Sequence, residues 1–313
     1  MKKSRFAFIL AILLAVSAFN APGQYGDLNK IPHGINPNSK SPVWPGLALT
    51  TGTTRKVTAM NYYGGPLINT PTIYIIWYGN WNRGNNTDTP QGQQIVRDWA
   101  SSIGGTPHYM LNTSLSVAGK PISGNVSFTP TANETTASGK TSLSDADIRT
   151  VVSDAVTSGR LPYNPDGVYF VITSSDVTAS SGFCTQYCGW HTYGNISDGR
   201  KVRYSFVGNA ARCINACAAQ SASSPNGNPG VDGAVSVLTH ELEEANTDPD
   251  INAWLDARGY ENADKCAWTF GSTQFLVNGA WANMTFGGRN WLIQRNILKT
   301  GNSFFCMVDS AHN

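Results

Sequence analysis

TIYIIWYG, residues Thr72 to Gly79, is the stretch on which the fold turns. Every residue from Thr72 to Tyr78 is β-branched or aromatic, and a glycine closes the run. Such a run, without polar alternation, is the pattern of a buried strand. GVYFVITS, Gly167 to Ser174, has the same character, and RYSFVG, Arg203 to Gly208, supplies a third strand. Two helical patterns lie between the first two runs. Thr89 as N-cap, Pro90 in the first turn and Ile95, Val96 and Trp99 on one face predict a helix to about Ile103. Ser144 as N-cap, with Ser144-x-x-Asp147 close to a capping box, opens a second helix from about Asp145 to Thr157. Ile148, Val151, Val152 and Val156 form its apolar face. A short strand is expected near Asn125 to Thr129. With a helix after Gly230 and short strands from Cys266 onward, the order β-α-β-α-β-β-α predicts one α/β domain with a mixed sheet.

Working outward, MKKSRFAFILAILLAVSAFNAPG at the start has the three parts of a secretory signal. Lys2, Lys3 and Arg5 precede an apolar run from Phe6 to Val16, and small residues offer cleavage after Ala18 or Ala21. The run is shorter than the roughly 20 residues a membrane span needs. Residues 1–21 are therefore read as a signal peptide, residues 22–57 as an extended Gly/Pro/Asn-rich arm, and residues 58–313 as the domain. Without Lys2, Lys3 and Arg5 the formal charge falls from +2 to −1. No basic run exists, which excludes duplex nucleic acid as a partner. The expectation is an exported protein that leaves the membrane once the signal is cut. Asn-x-Ser/Thr sequons stand at Asn85, Asn112, Asn125, Asn133, Asn195 and Asn283.

All six cysteines lie in the second half: Cys184, Cys188, Cys213, Cys217, Cys266 and Cys306. An even count in an exported chain predicts three disulfides. The simplest pairing is Cys184–Cys188, Cys213–Cys217 and Cys266–Cys306, and crossing between the first two pairs is the alternative.

The strongest chemical constellation is His240-Glu241-Leu242-Glu243-Glu244, on the helix of VDGAVSVLTHELEEANTDP. Val231, Val235, Leu238, Leu242 and Ala245 form an apolar stripe, and His240, Glu244 and Asp248 a polar ridge beside it. Residues four apart point the same way, so His240 and Glu244 can share one cation. This is the H-E-x-x-H geometry of a zincin active-site helix with a carboxylate in the second ligand place. Glu241 would be the general base toward a metal-bound water. Glu261 or Asp264, in GYENADKC, would complete the ligand set, at a separation similar to that of the third ligand in gluzincins. One divalent cation is expected, zinc ahead of calcium. The competing reading is a charged helix face that is merely solvated. His191, in CTQYCGWH, reads either as an extra ligand or as a packing residue beside crosslinked cysteines. Trp81 and Trp190, expected in polar loops, are the candidates for stacking on sugars. No G-x-S-x-G elbow, P-loop or Gly-rich dinucleotide turn is present, which disfavours a Ser or Cys nucleophile.

YYGGPLINTPTIYIIWYGNW, GFCTQYCGWH, YSFVGNAARCINAC and NGNPGVDGAVSVL-x5-EANTDP together resemble the Exordium, or phosphate-induced protein, family of secreted proteins. The resemblance runs from about Tyr62 to Cys306 and agrees with the six-cysteine layout. It implies an apoplastic protein, linked in plants to growth and cell expansion, without an established catalytic activity. Two functions follow. One is a secreted zincin-like metallohydrolase acting on an extracellular peptide. The other is a non-catalytic extracellular or cell-wall-associated protein of the Exordium type.

Overall fold

The two apolar runs pair in parallel along their whole length, Thr72 opposite Gly167 through Tyr78 opposite Thr173, in a computed structural model of the chain. Residues 55–128, 132–134 and 139–311 are described, and all fall in one compact unit. The expected signal peptide and most of the expected arm lie outside them. The last arm residues, Arg55–Val57, form a strand paired antiparallel with Ser303–Met307.

The central sheet has six strands: β1 (Thr72–Tyr78), β2 (Ser127–Phe128), β3 (Ala132–Glu134), β4 (Gly167–Thr173), β5 (Gly189–Asn195) and β6 (Lys201–Gly208). Their order is β2-β1-β4-β6-β5, with β3 also pairing β1. Every ladder is parallel except that of β5 with β6, so the sheet is mixed as expected. β4 is buried at all positions, which is why its sequence shows no polar alternation. β5 is a correction to the expected loop. GWHTYGN becomes an antiparallel edge strand because the hairpin through Ile196–Arg200 folds it onto β6.

α1 (Pro90–Ser102) and α2 (Asp145–Thr157) begin where their caps predict. The Thr89 hydroxyl accepts from the Gly92 N–H, and Ser144 and Asp147 make both bonds of a capping box. α3 (Pro229–Thr247) is capped by Asn228, whose side chain accepts from the Val231 N–H. Trp99 of α1 joins the layers: its ring stands edge-on to Phe170 of β4, and its indole N–H donates to Thr239 of α3 at 2.9 Å. Register sets Ile75, Phe170, Ser205 and His191 in one row across the sheet, and this row faces α1 and α3.

The disulfides are Cys184–Cys213, Cys188–Cys217 and Cys266–Cys306. The local pairings Cys184–Cys188 and Cys213–Cys217 are thus overturned in favour of the crossing. With Gly189 opposite Val207, the chain before β5 lies beside the helical turns after β6, and each cysteine meets one across that seam. Trp81 and Trp190 are also corrected. Each is only 7% exposed, Trp81 against Trp77 and Trp190 against Tyr204 and Phe206, so neither presents a stacking face. Among the described residues, no helix is long and apolar enough to cross a membrane.

Candidate metal centre

α3 is buried nearly all round, and its polar ridge is as deep as its apolar stripe. His240, Glu241, Glu243 and Glu244 are each 0% exposed. The solvated-face reading fails for that reason. β5 covers the ridge from one side, and the segment carrying Glu261, Asp264 and Gln294 from the other. Burying this many ionisable groups is expensive unless they pair or hold a metal.

His240 Nε2 lies 2.9 Å from Glu244 Oε1, the separation expected of helical neighbours four apart, and 3.5 Å from Asp264 Oδ1. Asp264 also donates its backbone N–H to Glu244 Oε1 at 3.1 Å. Of the two candidate third ligands, Asp264 therefore stands against His240. Glu261 stands against His191 instead, its Oε1 3.5 Å from His191 Nε2. Glu241 also faces His191, with Oε2 3.4 Å from Nδ1. Of the two readings of His191, the structure brings it into the cluster.

Of the other groups around α3, His108 and Gln294 carried no sequence signal at local spacing, whereas Asp248 belonged to the expected ridge. Glu243 pairs with His108 at 2.9 Å, while His108 Nδ1 lies 2.5 Å from the Val308 carbonyl. Asp248 turns back on its own loop, where Oδ1 accepts from the Asn252 and Ala253 N–H groups at 2.6 Å each. Gln294 meets His240 Nδ1 through its carboxamide.

Burial disfavours the imidazolium form of both His240 and His191. The surrounding carboxylates outweigh it and raise both well above the ordinary histidine range: Glu244 and Asp264 around His240, Glu261, Glu241 and Glu244 around His191. Glu244 is depressed because the two imidazoles together overcome its own burial. Burial raises Glu241 and Glu261, and pushes Asp248 and Asp264 up to about 7. Carboxylates thus outnumber imidazoles, and in the bare cluster protons are the counterions. A divalent cation could take their place.

The donors suit such an ion. Ligands bonded at about 2.0–2.2 Å stand roughly 2.8–3.1 Å apart around an octahedral ion and roughly 3.3–3.6 Å apart around a tetrahedral one, and the two separations from His240 Nε2 are 2.9 and 3.5 Å. His240 Nε2 is completely buried and faces the carboxylate oxygens of Glu244 and Asp264. The Gln294 carboxamide oxygen is unsatisfied. Turning that oxygen to His240 Nδ1 satisfies it with the Nδ1–H and leaves the Nε2 lone pair for a metal.

The sequence profile of the phosphate-induced protein 1 conserved region matches residues 60–280. The chain belongs to the phosphate-induced protein 1 family. It is 32% identical over 275 residues to Protein EXORDIUM-like 3 of Arabidopsis thaliana, covering 75% of this chain and 79% of that protein. It is 29% identical over 282 residues to Protein EXORDIUM-like 5 of the same plant, covering 75% of this chain and 74% of that one. No solved structure matches the chain. The matched region takes in the central sheet, α1, α2, α3 and His191, His240, Glu241, Glu244, Glu261 and Asp264, while Gln294 lies beyond it.

Proposed function

We propose that this member of the phosphate-induced protein 1 family is a non-catalytic extracellular protein whose core is completed by a divalent cation, zinc ahead of calcium, on His240, Glu244 and Asp264. The observation that carries the reading is closure. A catalytic zinc keeps an open position for water and substrate, whereas a structural zinc is enclosed by protein. His240, Glu241 and Glu244 are fully buried, so no substrate carbonyl reaches Glu241 without the sheet edge or the covering segment moving. An imidazole among the donors favours zinc, since calcium takes oxygen ligands. Three disulfides and family membership support an extracellular setting. In that setting the partner would be a cell-wall component bound at the surface, and not a peptide cleaved at the zincin-like helix.

The test is elemental analysis of secreted protein purified without chelators. At least one equivalent of zinc is expected, with loss of that metal in His240→Ala and a lower melting temperature after chelation. Metal-free protein of full stability overturns the reading. So does peptide hydrolysis that disappears in Glu241→Gln while the metal is retained.

A further inference from the structure

We infer that Glu244 bridges two cations, the second held by His191 Nδ1, Glu241 Oε2 and Glu244 Oε2. This deepens the reading above and rests on it, because Glu244 is shared with the cation on His240 and Asp264.

The two oxygens of Glu244 face different partners. Oε1 looks toward His240 and Asp264, and Oε2 toward His191 at 3.6 Å. On that second side Glu241 Oε2 lies 3.4 Å from the same His191 nitrogen, and one donor atom from each of the three residues falls within 4.8 Å of the others. Separations of 3.4 and 3.6 Å are long for hydrogen bonds between charged groups, which close to about 2.7–2.9 Å. They match the roughly 3.3–3.6 Å edge of a tetrahedron of zinc ligands. Two carboxylate oxygens at that spacing from one imidazole nitrogen leave room for an ion among the three donors.

Two further observations point the same way. Glu244 Oε2, one of the three proposed donors, is wholly buried and accepts no hydrogen bond. A buried carboxylate oxygen without a donor is costly unless a cation meets it. His191 also has its far nitrogen set for the purpose: Nε2 stands 3.5 Å from Glu261 Oε1 and 3.4 Å from the Asp248 carbonyl. Oxygen acceptors on that side favour the proton on Nε2, the tautomer in which Nδ1 is the metal-binding nitrogen of a histidine. A carboxylate bridging in this way sets its two ions about 3.5–4 Å apart.

The second ion changes the part played by Glu241. Its Oε2 becomes a ligand and is not available as a base toward water. The ion also ties the edge strand to the central helix, joining the β5–β6 hairpin to the segment that carries Asp264 through one pair of metals. The zinc pair is thus a crosslink among three parts of the chain that share no disulfide at that point.

The test uses the full secreted protein purified without chelators and, separately, stripped and reloaded with zinc or manganese. Two equivalents of zinc per chain are expected, falling to one in His191→Gln and in Glu241→Gln, with the circular dichroism of the wild type. One equivalent in wild type and variants alike overturns the second site and leaves the first standing. No metal in any of them overturns both. Should the variants fail to fold, the manganese-loaded wild type decides. A spin-coupled pair signal in electron paramagnetic resonance supports the bridge, and a six-line spectrum of isolated ions overturns it.

Discussion

Replacing Gly189 with alanine drives a methyl group into the seam between the edge strand and the metal-site helix. A Cβ there would lie 2.5 Å from Val237 Cγ1, 3.0 Å from the Phe206 carbonyl oxygen and 3.2 Å from Glu241 Oε1. Carbon atoms pack at about 3.5–4.0 Å, so roughly 1 Å must be found. The Phe206 carbonyl belongs to the central sheet and cannot yield it. Val237 is buried on a helix, where its branched side chain has one preferred rotamer. The strand itself must lift. Overpacking of this kind costs about 1–3 kcal/mol, and at about 2–4 °C per kcal/mol for a domain of this size the melting temperature should fall by roughly 2–12 °C. His191 lies two residues along on the same face, so its 3.4 Å approach to Glu241 should widen with the strand. Thermal unfolding in excess chelator isolates the packing loss, and a zinc titration of the same variant reads the centre. The expected result is a lower melting temperature in chelator together with weakened uptake of the second metal equivalent. A melting temperature within 1 °C of wild type would refute the close packing of β5 on α3. A lowered one with unaltered zinc uptake would refute the link between that packing and the site.

Three other outcomes are expected. Non-reducing peptide mapping should join the peptide of Cys184 to that of Cys213 and the peptide of Cys188 to that of Cys217; because Cys184–Cys213 still closes most of the same loop, the double variant Cys188→Ala/Cys217→Ala should lose roughly 2.5 kcal/mol by loop entropy in urea unfolding, and links within either C-x3-C pair would contradict the fold. Chelated protein should lose stability as pH rises from about 4 to about 7, because Asp248 and Asp264 titrate near 7 when folded and near 4 when unfolded, so the folded state holds the extra protons in that window; the depressed Glu244 contributes stability only above its unfolded value and loses it in acid, and excess zinc should flatten the decline, so a chelated profile that rises across the window counts against the cluster. Expressed in a glycosylating host, the protein should carry glycans at the exposed Asn125 and Asn195 and none at Asn112, which is fully buried and hydrogen-bonded to Asn262 and Asn296; a glycan on Asn112 of folded protein, found by mass spectrometry, would be inconsistent with that burial.

Much of the fold was legible from local pattern. β1, β4 and β6 announce themselves as apolar runs because each is buried on both faces, and α1 and α2 start at their predicted caps because capping involves residues only three apart. The approach of His240 to Glu244 was likewise readable, since the helix alone sets the geometry of residues four apart.

What the chain could not disclose locally are relations between distant segments. The same HELEE pattern describes a solvated ridge or a buried one, and only β5 and the segment of Glu261, Asp264 and Gln294 closing over α3 make it buried. His191 joins Glu241 across 50 residues because the β5–β6 register turns it to that face; a slip of one residue would turn it to the other. The crossed disulfides arise from the same hairpin, which brings the two C-x3-C segments side by side. The choice of Asp264 for His240 and of Glu261 for His191 likewise follows from how one turn packs against the helix. Sequence determined the elements and one pair of donors, because those depend on neighbours along the chain; tertiary structure decided the burial and the partners, because those depend on neighbours in space.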